Sequence, residues 1–160
     1  LMDPPPALGM ISLSVLRAAD ALLVPAPPNN IDFGSTAHFL RMMTATLEEM
    51  SRAGGERDYA FVKILVTKMS DTKSAHQAIH RMMQAVFPHD LVQAVLKDSA
   101  EIDNATANLR TVYEITGSAT RTPTHRRCRA YLDAVGREVE LLIRKTWPSH
   151  HADLRKEGLL

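Results

Sequence analysis

The chain has 160 residues, 45% of them apolar and 23% charged, with a formal net charge of +1. Those proportions exclude a disordered chain and leave room for one domain with a sizeable core. The lone cysteine, Cys128, excludes an internal disulfide and suits a reducing compartment. No run approaches the length of a membrane span, and no basic segment leads into an apolar one at the start, so a cytoplasmic location is expected.

In chain order, "MDPPPALG", Met2–Gly9, comes first. Its three consecutive prolines fit neither a helix interior nor a central strand, since each lacks an N–H and has φ fixed. Met10, Leu13, Leu16 and Arg17 then recur at helical spacing and predict a short helix. "ADALLVPAPP" reads as a strand over Ala21–Pro25, buried on both faces. Leu40, Met43, Leu47 and Met50 mark an amphipathic helix that stops near Gly54-Gly55. "YAFVKILVTK" is a second buried strand.

Asp71 or Thr72 is the expected cap of a helix whose apolar face is Ala75, Ile79, Met82, Val86 and Phe87. "LVQAVLK" reads as a third, shorter strand, and "SAEIDNATANLRTVYEI" as a short helix or loop. Thr122 as N-cap and Pro123 at the first helical position open a last helix. Its buried face is expected to be Cys128, Tyr131, Val135, Val139 and Leu142, and it ends before Trp147-Pro148.

Strands alternating with helices imply an α/β fold with a parallel sheet. In open sheets of this kind ligands sit beyond the carboxyl ends of the strands. Those ends are Asp3–Gly9, Pro25–Asn30, Thr67–Asp71 and Lys97–Glu101, which predicts one composite site. His76 and His80 have a metal-capable spacing but no third ligand nearby, so they are expected to face solvent. Cys128 lies on an apolar stripe and reads as a buried structural thiol. Met42, Met43, Met82 and Met83 read as core filler.

"DPPPALGMISLSVLRAADALLVPAPP" resembles the segment after the Walker B strand of ParA-type ATPases, the deviant Walker A class. The resemblance continues through "FVKILVTKMSDTKSAH", "LKDSAEIDNATANLRTVYEI" and "HRRCRAYLDAVGREVELLIRKTWPSH", and is strongest to the RepA partition proteins of repABC plasmids. It covers nearly the whole chain in the family's order. It implies that residues 1–160 form the C-terminal portion of a single ParA/MinD-like P-loop NTPase domain, a three-layer fold with a mainly parallel sheet flanked by helices. Residues 1–9 would be the switch turn after the Walker B strand, and 122–147 the C-terminal helix.

The resemblance also implies roles. Asp3 would be the catalytic acid beside Mg²⁺, and the turn through Pro5 and Gly9 would sense the γ-phosphate of ATP, with Gly9 supplying an unusual backbone angle. Thr67 and Lys68, with Lys97 and Asp98, fall where the family holds adenine and ribose. Here Thr67 replaces a frequent Asn, and Lys97 stands near a usual Pro. The other reading of these residues is ordinary strand-to-helix loops. Arg121, Arg126, Arg127 and Arg129 correspond to a basic surface that binds DNA without sequence preference, or else form a solvated helix face shared with Asp133, Glu138 and Glu140.

Implied partners are nonspecific DNA, a centromere-binding protein of the ParB/RepB type and a second copy in an ATP-bound homodimer; the implied location is on the nucleoid, with no membrane. No "GGxxKS"-like phosphate loop occurs in these residues, so no ATP hydrolysis is expected from this chain alone. The alternative is an inactive interaction module that binds a partner protein or DNA. In the resembling fold, "ALLVP" borders the missing phosphate-loop strand, so an open edge there is expected to self-associate.

Overall fold

A computed structural model describes residues 1–4, 9–52, 58–117, 120 and 122–158; the side chains of Met50 and of residues 149–151 are not described. The predicted first helix is α1, Met10–Ala18, which turns Ser12 and Leu16 inward. Tyr59 fixes its far end by donating its hydroxyl to the Leu16 carbonyl at 2.7 Å.

β1, Leu22–Ala26, pairs in parallel with β2, Val62–Val66, in a register running from Leu22↔Val62 to Ala26↔Val66. β2 is buried at Ile64, Leu65 and Val66, with Val62 and Lys63 half-buried. β1 is not buried on both faces: Leu23 and Pro25 are exposed, while Leu22 and Val24 are half-buried. An apolar run cannot announce which of its faces the described residues leave uncovered. α2, Asn30–Arg52, joins the two strands, and Asn29 opens it by accepting the Asp32 N–H at 2.9 Å.

α3 covers Ser74–Val86. Neither expected cap serves it: Lys73 holds the N-cap position without a side-chain bond, the Asp71 carboxylate pairs with Lys97, and the Thr72 hydroxyl meets Ser70. The inward stripe is rotated by about one position from the predicted one. Ile79 and Met83 are buried, His76 and His80 are half-buried, and Met82 and Val86 face solvent. The histidines are therefore not solvent-facing. Of the four methionines read as core filler, Met43 and Met83 are buried, and Met42 and Met82 are exposed.

Ala26, Ile64, Val66, Ile79, Met83 and Leu91 form the main core, which Phe33 of α2 and Phe87 close with an edge-on ring contact at 6.4 Å. The expected third strand is not regular. Val92 N–H reaches the Ile64 carbonyl, but the next bond to β2 comes from Leu96 N–H to the Val66 carbonyl, both at 2.9 Å. Four residues on one side match two on the other, so the segment bulges at Gln93 and Ala94.

α4, Ala100–Ala107, and a 3-10 turn at Val112–Glu114 lead to α5, Pro123–Thr146. Thr122 caps α5 as predicted, accepting the His125 N–H at 3.2 Å. A second core joins the three elements through Ala105, Val112 and Cys128. Cys128 is buried as expected, whereas Tyr131, Val135, Val139 and Leu142 are only half-buried. α5 ends at Trp147, whose ring meets Phe61 edge-on at 6.3 Å. Pro148 then starts an unforeseen α6, Pro148–Lys156. The result is an α/β arrangement, a small parallel sheet flanked by helices.

Candidate functional site

The carboxyl ends of β1 and β2 lie together because the strands are parallel, and the 96–99 segment joins them. Thr67 N–H bonds the Ala26 carbonyl at 3.2 Å, Met69 N–H the Leu96 carbonyl at 3.2 Å, and Asp98 N–H the Met69 carbonyl at 2.9 Å. Thr67, Lys68, Lys97 and Asp98 are thus brought to one rim. Lys68 is exposed and has φ 51°, a left-handed conformation that L-residues with long side chains rarely adopt. Backbone strain of this kind concentrates at binding loops.

An ion pair between Lys97 and Asp71 clasps the two loops, with Lys97 the more buried partner. Ser70 N–H donates to His76 Nδ1 at 3.2 Å, and Gln77 donates to the Asp71 carbonyl at 2.6 Å. Behind the rim, burial first and then the charge of Lys97 hold His80 below the ordinary histidine value of 6.5. In the sequence, the end of the predicted third strand and the resemblance both point to Lys97. Its pairing with Asp71 leaves no local sign, because the residues are 26 positions apart.

Asp3 is exposed, and among the described residues no hydrogen bond or ion pair joins it to this rim. Pro5 lies outside the described residues. Gly9 has φ −103° and ψ −175°, extended backbone open to any residue, so the expected unusual angle is not there. Among the described residues no three His, Cys, Asp or Glu side chains gather to hold a metal ion. Mg²⁺ demands several oxygen ligands in near-octahedral array, and Asp3 alone does not supply them.

Arg126, Arg127 and Arg129 lie apart, on the first turns of α5. Arg121 is outside the described residues. Arg126, Arg127 and Arg129 are exposed. Arg129 stacks its guanidinium over Tyr113, 4.9 Å from the ring centre. The acids that would share a solvated face are engaged elsewhere: Asp133 accepts from the Tyr113 hydroxyl at 2.5 Å, Glu138 from backbone, and Glu140 pairs with Arg144. Among the described residues no ion pair neutralises Arg126 or Arg127. Beside them His125 is 1% exposed with neither ring nitrogen bonded. Its i−3 spacing from Cys128 is the sequence signal for that inward position.

No family model matches the chain. It is 26% identical to a replication protein A of Rhizobium rhizogenes over 147 residues, 92% of this chain and 36% of that protein. A replication protein A of Sinorhizobium fredii is 25% identical over the same shares. Escherichia coli K12 SopA is 28% identical over 115 residues, 71% of this chain and 29% of that protein. The chain therefore spans about a third of the length of these relatives. A solved structure titled a partition protein superposes with TM-score 0.53 at 23% identity, covering 80% of this chain and 32% of that one. The relatives of this chain are replication protein A and SopA proteins, and its fold is that of a partition protein.

Proposed function

We propose that this chain supplies the base-side loops and the DNA-contacting face of a ParA/RepA-type ATPase that segregates plasmids. The observation that carries the reading is the rim at the carboxyl ends of the parallel strands, where Thr67, Lys68, Lys97 and Asp98 meet under the Lys97–Asp71 clasp. The names of the relatives agree with it. In a complete protein of this type ATP and Mg²⁺ are the cofactors, Asp3 stands beside the metal, and Pro5 and Gly9 follow it in the switch turn. Partners are a second copy, a centromere-binding ParB/RepB-type protein and nonspecific DNA, with the assembly held on the nucleoid.

Phosphoryl transfer depends on a cradle of backbone N–H groups, a lysine and a metal ion. The sequence holds no such loop, so the purified chain is expected to show no ATP turnover above background. Turnover that disappears in Asp3→Ala would contradict this. Exposed Arg126 and Arg127, which no ion pair neutralises among the described residues, also suit a second reading, an interaction module that binds DNA or a partner protein without nucleotide. The two separate on whether a fluorescent ATP analogue binds and Lys97→Met weakens it.

A further inference from the structure

Arg129 and Asp133 lie four apart on α5, a spacing at which opposite charges on a helix ordinarily meet. Here they do not: among the described residues no ion pair holds Arg129. Tyr113, from the 3-10 turn, engages both of them instead. Its hydroxyl donates to one oxygen of Asp133 at 2.5 Å, and its ring carries the Arg129 guanidinium, 4.9 Å from the ring centre. The preceding residue, Val112, is buried with Cys128 in the second core, which fixes the turn against α5. The ring contact draws on the cation's charge and leaves the in-plane N–H donors of the guanidinium unspent. A carboxylate partner would consume two of them. Arg126, three residues before Arg129, is its neighbour on the same helix face, and both are exposed.

We propose that Tyr113 is a positioning residue for nucleic-acid contact: by occupying Asp133 and supporting Arg129, it keeps the guanidinium fork available to a backbone phosphate beside Arg126. This inference rests on the DNA contact proposed for the start of α5. The fork suits the task because it matches phosphate oxygens two at a time. A long, unsupported arginine stem loses rotamer freedom when it binds. The Tyr113 ring moves that loss from the binding step to folding. Without the ring and its hydroxyl, Asp133, about one helical turn away, is released to neutralise Arg129 and competes with the phosphate.

The salt dependence of binding to duplex DNA, measured in a complete, ATP-bound protein that contains this chain, tests it. Tyr113→Leu should flatten the log–log slope by roughly 0.9, the share of one phosphate, as Arg129→Ala does. Tyr113→Leu/Asp133→Asn removes the competing carboxylate and should recover most of that slope. In an Arg129→Ala background, Tyr113→Leu should change nothing further. A slope that Tyr113→Leu leaves unchanged overturns the proposal, and so does a Tyr113→Leu loss that persists without Arg129. If Tyr113→Leu fails to fold, Tyr113→Phe releases Asp133 alone and should move the slope in the same direction; an unmoved slope there overturns it equally. Arg126→Ala/Arg127→Ala is the control. If the control leaves the slope unchanged, the DNA contact itself falls and this role with it, whereas a flattened control beside an unmoved Tyr113→Leu removes the role alone.

Discussion

Glu138 accepts the backbone N–H of Gln93 at 2.7 Å with one carboxylate oxygen, and the N–H of Ala94 at 2.7 Å with the other. One side chain on α5 therefore satisfies both donors that the bulge removes from the ladder, and fastens the segment leading to Lys97. Bonds to a charged acceptor contribute roughly 1.5–3 kcal/mol each when shielded and less at an exposed position such as Gln93. Glu138→Ala is expected to lower stability by about 2 kcal/mol and to speed amide exchange at Gln93 and Ala94 above their neighbours. Unchanged exchange at those two amides would remove the carboxylate from this role.

Leu109 is 96% exposed and has φ 51°. It follows α4, where Leu109 N–H bonds the Thr106 carbonyl at 2.9 Å and Arg110 N–H the Ala105 carbonyl at 3.0 Å. That pair of bonds is the helix stop normally built on glycine. Leu109→Gly should raise stability by about 1 kcal/mol by relieving the left-handed strain. A urea midpoint that falls would show that the leucine makes a contact worth more than the strain.

Burial, and after it Lys97, depress the His80 titration below 6.5. The unfolded chain then binds the proton more readily than the folded one, so His80 favours folding above about pH 6.5 and that contribution is lost as pH falls through its folded midpoint. Lys97→Met should raise the midpoint seen by NMR only part of the way, because burial is the larger cause. A midpoint that does not move would place Lys97 away from the imidazole.

Hydrogen bonding to Asp133 holds the Tyr113 phenol above the usual 10.0, with desolvation and the Asp133 charge acting in the same direction. Asp133→Asn should bring its ultraviolet titration down toward that value. The stabilising effect is present at neutral pH and fades as the solution passes from the ordinary phenol value up through the raised one. An unaltered titration in the variant would mean that the 2.5 Å hydrogen bond does not persist in solution.

Local chemistry is legible where it determines structure by itself. Thr122-Pro123 marks the start of α5, and helical spacing marks α1, since both signals rest on neighbours in sequence. The exposure of Leu23 is not legible, because it depends on what lies beyond the sheet. The α3 stripe differs by one position from its sequence pattern because alanine and valine on an exposed face look like core in a pattern of apolarity. The bulge at Gln93 is set by Glu138, 45 residues away, and no local rule reaches that far. At the candidate site, Thr67, Lys68, Lys97 and Asp98 follow from strand ends and resemblance. The clasp from Lys97 to Asp71 requires the fold.

The DNA contact proposed for the start of α5 belongs to a complete, ATP-bound protein that contains this chain, and is tested there. Binding to duplexes of unrelated sequence should be measured across a range of salt concentration, with the natural chain and with Arg126→Ala/Arg127→Ala. Equal affinity for all sequences is expected, with a log–log salt slope that flattens by roughly 0.9 for each phosphate no longer neutralised. Binding that ignores salt, or a slope that survives the double substitution, would contradict it.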